Sequence, residues 1–177
     1  MNAKTFIEYK SRLDESYVFL RLNGADKKLD DTSMQKSYFS DIFIHYASGA
    51  ALSGSEPNAF TETVLNSQEI GTVVEELVAS HMSQIKESEP MRAYNTYLRF
   101  LHSTHEIDFV FKRNNGSHIG IEVEYQGSVS QKNDIYRTKN ITEYLLLSKD
   151  SMEKGRNFAV IPVQVLLALL KKSERDL

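Results

Sequence analysis

The chain has 177 residues, a formal net charge of −3, 41% hydrophobic residues and no cysteine. That length fits one domain, or one domain with a small appendage, and the apolar share is enough to fill a core. The missing cysteine excludes disulfides and thiolate metal sites, the acidic balance gives no overall basic footprint for nucleic acid, and no signal-like segment or membrane-length apolar run is present.

In chain order, residues 3–15 predict an amphipathic helix, with Phe6, Tyr9 and Leu13 near helical spacing. Residues 16–22 turn extended, 23–33 form a polar loop, and 35–40 give a second short strand. Residues 41–49 predict a short helix and 49–58 a loop rich in Gly, Ser and Pro. The clearest helix is 67–85, where Ile70, Val73, Val74, Leu77, Val78 and Met82 form an apolar stripe. Glu75 and Glu76 ride on it; only one can face a site, which leaves the other as a solvated charge. Strands are expected at 94–101, 106–112, 118–125 and 142–148, with a helix at 131–138, a fifth strand at 158–162 and an apolar helix at 163–172. This order is an α/β layer architecture, a mixed sheet of four or five strands with helices on both sides.

The chemistry concentrates between His105 and Tyr125. Asp108 lies in the strand 106–112, and Asn114-Asn115-Gly116 is suited to a hairpin loop. Glu122 and Glu124 stand two apart on the returning strand and therefore share a face. Three carboxylates at one sheet end need a neutralising partner, and an all-oxygen set suits Mg²⁺ or Mn²⁺. The histidines do not fall into a zinc spacing.

Several segments resemble a known family. These are Tyr38-Phe39-Ser40-Asp41, Gly71 with Glu75 and Val78, Glu106-Ile107-Asp108-Phe109-Val110, Ile121-Glu122-Val123-Glu124-Tyr125, and Ile161-Pro162 before an apolar helix. In order and spacing they resemble the PD-(D/E)XK nuclease-like superfamily. The nearest branch is the domain of unknown function found C-terminal to AAA+ type ATP-binding cores in bacteria and archaea. The resemblance implies a nuclease-like domain over 59–177, preceded by a partial winged-helix-like segment over 1–58. It implies Mg²⁺ or Mn²⁺ held by Asp108 and Glu122 with the Val123 carbonyl, and Glu75 as an accessory acid. It also implies DNA as substrate, an ATPase core or another protein as partner, and a cytoplasmic setting.

Two departures qualify it. The family commonly has Lys where this chain has Glu124, so Glu124 becomes a metal ligand or a general base, with Lys132 or Lys139 as a second source of the lost charge. The chain also starts inside what resembles the last helix of the family's winged-helix segment, and no Gly-rich phosphate loop with Lys-Ser/Thr occurs, so the expectation is a chain without the family's ATPase core, either a piece of a longer protein or a stand-alone descendant. The rival expectation is a catalytically degenerate protein-interaction or DNA-binding module. The plain alternative for Asp108, Glu122 and Glu124 is an exposed strand face lined with solvated acids.

Overall fold

The computed structural model describes residues 19–24, 35–83, 98–102, 106–112, 117–125 and 141–170. The helices expected at 3–15 and 131–138, the beginning of the strand expected at 94–101, and Lys132 and Lys139 lie outside the described residues.

The described elements are an α/β arrangement around one mixed sheet. Its strands are β1 (Phe19–Gly24), β2 (Gln35–Phe39), β3 (Leu98–His102), β4 (Glu106–Lys112), β5 (His118–Glu124), β6 (Ile141–Ser148), β7 (Glu153–Lys154) and β8 (Phe158–Pro162). They pair in the order β2-β1-β3-β4-β5-β6-β8-β7. The centre is an antiparallel meander, β3 to β4 to β5, continued by β6 and β8 parallel to β5. The sheet is larger than the four or five strands expected. The hairpin β1–β2 joins it through Asn23 and Gly24, which pair with Arg99 and Phe100 of β3.

Four helices are described: α1 (Ile42–Ser53), α2 (Pro57–Leu65), α3 (Ile70–Ser83) and α4 (Val163–Leu169). The helix expected at 41–49 runs on to Ser53, the loop expected at 49–58 shrinks to residues 54–56, and a further helix begins at Pro57. Asp41 caps α1 by accepting the Phe43 N–H, and Gly54, at φ 66°, ends it in the left-handed conformation that glycine adopts without steric cost. Pro57 then starts α2 at a position where a missing N–H costs nothing. The Gly, Ser and Pro that suggested a loop are the stop and start signals of two helices.

One face of the sheet packs against α3 and α4. Val74, Val78 and Ala79 of α3 meet Tyr38, Phe100, Phe109, Ile121 and Leu147 of the sheet, with Val163 and Leu166 of α4. A second cluster, Ile107 and Val110 with Ile141 and Tyr144, lies on the other face. No helix among the described residues is long and apolar enough to cross a membrane.

Candidate functional site

The site is assembled by a fault in β4. In the β3–β4 ladder Arg99 pairs with Val110 and Leu101 with Ile107, so two steps on β3 match three on β4. This is a β-bulge, one extra residue that breaks the alternation and re-aims the side chains around it. Its effect is visible in the packing. Phe109 packs with Ile121 toward α3, whereas Ile107 packs with Val110 on the opposite face, although in a regular strand Ile107 and Phe109 would share a face.

Asp108 sits at this fault. Its Oδ2 accepts the Val123 N–H at 2.9 Å, next to the last ladder pair, Phe109 with Ile121. The side chain thereby satisfies a strand donor and fixes its own direction. Its Oδ1 lies 2.9 Å from the Lys36 ammonium.

Lys36 and Tyr38 stand two apart on β2 and so point the same way, toward α3. The Lys36 Nζ is also 2.9 Å from Oε1 of Glu75, and the Tyr38 hydroxyl donates to that same oxygen. The ammonium is therefore equidistant from two carboxylates on different elements, and it lies 5.8 Å from the centre of the Phe100 ring. The three charged side chains are largely but not fully covered, at 20% exposure for Lys36 and Glu75 and 13% for Asp108. Burial, and then the nearby Asp108 charge, push the Glu75 carboxyl above its ordinary value; the Tyr38 and Lys36 hydrogen bonds and the Lys36 charge pull the other way.

Of the four carboxylates expected at the site, the structure brings together Asp108 and Glu75. Glu122 and Glu124 take a different direction. Ile119, Ile121, Val123 and Tyr125 all pack toward α3 and α4, so alternation turns Glu122 and Glu124 to the other face, the side on which Gly120 adjoins Tyr144, Ile107 and Ile141. Among the described residues no three His, Asp or Glu side chains gather as a group that could hold a metal ion. Two do converge on one cation position, and Mg²⁺ is commonly held by one or two carboxylates with water and substrate phosphate completing its shell. Glu75 and Asp108 fit that requirement.

Lys36 was missed by sequence reasoning. It lies 72 positions from Asp108, and the only available signal was its place two residues before Tyr38 on a strand. Glu76 was misjudged in the opposite sense. The expected solvated charge is only 4% exposed. Its Oε1 accepts the Phe39 N–H, and the His45 Nδ1 lies 2.7 Å from its Oε2. One turn further along α3, Ser80 donates to the Ser40 carbonyl at 2.7 Å. The segment Tyr38-Phe39-Ser40-Asp41 is thus consumed residue by residue: a hydroxyl to Glu75, an N–H to Glu76, a carbonyl to Ser80, and a cap for α1.

Comparison with protein-family models, with curated proteins and with solved structures finds no match for the chain.

Proposed function

We propose that the chain is a nuclease-like domain of the PD-(D/E)XK kind that acts on the phosphodiester backbone of DNA with Mg²⁺ or Mn²⁺, as the cytoplasmic C-terminal module of an ATPase core. The observation that carries this reading is the convergence of Glu75 and Asp108 on one cation position, with a lysine beside them. The topology supports it: a helix, an antiparallel three-strand meander bearing Asp108 on its middle strand, then a strand parallel to the third.

Glu75 and Asp108 would hold the metal. Such an ion polarises a scissile phosphate and makes a bound water nucleophilic near neutral pH. The chain's own groups supply the rest. The Val123 N–H fixes one oxygen of Asp108 and leaves the other aimed at the cation position, whereas the Tyr38 hydroxyl holds Glu75 by the same oxygen that faces the cation. Lys36 brings a positive charge to a cluster that would otherwise repel phosphate. That charge is the one expected at position 124, and here β2 delivers it. Glu122 and Glu124, on the other face, are then not required as ligands.

The test is Mn²⁺-dependent cleavage of linear, nicked and single-stranded DNA. The expected result is cleavage lost by at least a hundredfold in Asp108→Ala and Glu75→Gln. Absence of cleavage on all three substrates would overturn the catalytic reading. It would favour the second one, a non-enzymatic partner-recognition or DNA-binding module, which draws on the fact that Lys36 already places a positive charge between the two carboxylates.

A further inference from the structure

We propose that the Lys36 ammonium is an internal cation that competes with the divalent metal for the position between Glu75 and Asp108, so that metal entry releases Lys36 toward the incoming phosphate. The inference rests on the metal-dependent reading above.

The geometry sets up the competition. Nζ is 2.9 Å from both Glu75 Oε1 and Asp108 Oδ1. A divalent ion bound by the same two oxygens lies only about 2.0–2.1 Å from each for Mg²⁺, so ion and ammonium cannot share the space. Electrostatics favours a cation at this position. Two partly covered carboxylates facing each other repel strongly when both are ionised, and Lys36 relieves this in the resting chain.

Lys36 is also suited to leave. Its charge sits on a flexible four-carbon stem as a compact point charge, without the rigid two-pronged grip of arginine. At 20% exposure its side chain keeps a path to solvent. Once displaced, the ammonium remains tethered beside the metal, where a phosphate oxygen would be its natural partner. Metal and phosphate then bind better together than either does alone, because the phosphate compensates the cost of moving Lys36. Lys36 is a gatekeeper of the cation position in the resting state and a phosphate ligand in the occupied one.

The experiment is calorimetric titration of the full chain with Mn²⁺, alone and with a short single-stranded oligonucleotide carrying non-hydrolysable phosphorothioate links. Wild type is compared with Lys36→Met and Lys36→Arg. Lys36→Gln is the second neutral variant, because its amide can still bridge the carboxylates and preserve folding; circular dichroism verifies the fold of each. The expected result is Mn²⁺ affinity at least tenfold tighter in Lys36→Met than in wild type, with no tightening in Lys36→Arg. The oligonucleotide should strengthen Mn²⁺ binding in wild type and lose most of that effect in Lys36→Met. Saturable Mn²⁺ binding by wild type that is unchanged or weaker in the neutral variants would overturn the competition and leave the metal-dependent reading standing. No Mn²⁺ binding by wild type or by either folded neutral variant at millimolar metal would overturn both.

Discussion

At the scale of single residues, the site is a balance among four side chains, Lys36, Tyr38, Glu75 and Asp108. Tyr38 is the least obvious member, since it is 7% exposed and its ring belongs to the core, 6.0 Å from that of Phe109. Its hydroxyl reaches out of the core to Glu75. Removing only that oxygen in Tyr38→Phe keeps the packing and deletes one hydrogen bond to a charged group, which is worth about 1.5–3 kcal/mol. Thermal and urea unfolding should show a loss in this range. The Glu75 carboxyl should also move further upward, because a group that holds its charged form has gone. Carboxyl titration by NMR would read that movement, and a downward shift would contradict the geometry.

At the scale of elements, α3 is held to β2 at Glu75 and Glu76 and to Ser40, just past the end of β2, at Ser80, and Glu76 also faces His45 of α1. Burial raises the Glu76 carboxyl above its ordinary value, while the Phe39 N–H and His45 oppose the shift. A carboxyl raised on folding binds more protons in the native chain than in the unfolded one. Its contribution to stability is therefore intact below the unfolded value and lost as pH rises through the folded one. Glu76→Gln keeps an acceptor for Phe39 and removes the charge. Measured without divalent ions, the stability difference should shift in favour of the variant as pH is raised from the acid side through the raised Glu76 range. A difference independent of pH would show that Glu76 titrates alike in both states. The elements themselves were largely legible in the sequence. The stripe of α3 follows from apolar periodicity, the pair 106–112 with 118–125 from two apolar segments around a turn sequence, and the strands 142–148 and 158–162 and the run Val163–Leu169 from their apolar residues; the parallel pairing of those last two strands was not legible. The pair α1–α2 was half legible, because glycine and proline signal both loops and helix ends. The contacts of Lys36 and Glu76 were not legible. They depend on which edge of the sheet β2 occupies, and no local pattern records that.

At the scale of the whole molecule, burial is uneven. Phe109 and Leu147 of the central strands are 0% exposed, as are Val78 and Ala79 of α3. Along α2, by contrast, Val64 alone is buried, and Leu65 at its end is 53% exposed. Local opening is governed by such differences in buried apolar contact. Amide hydrogen exchange should therefore be slowest in β4, β5 and β6, slow in α3 and faster by orders of magnitude in α2. Equal protection in α2 and α3 would show that the helix pair opens only with the sheet. The whole sheet also frames the bulge in β4, whose importance extends past this site. Counting residues is normally a safe guide to which side chains meet in a hairpin, but here the count differs between the two strands. A related chain with the same acids at the same spacings, but without the additional residue in this strand, would group Asp108's counterpart with the pair on β5 instead of with the helix. Two proteins could then agree at every acidic position and still build different centres, and the distinction would be carried by one backbone step that no list of acidic residues contains.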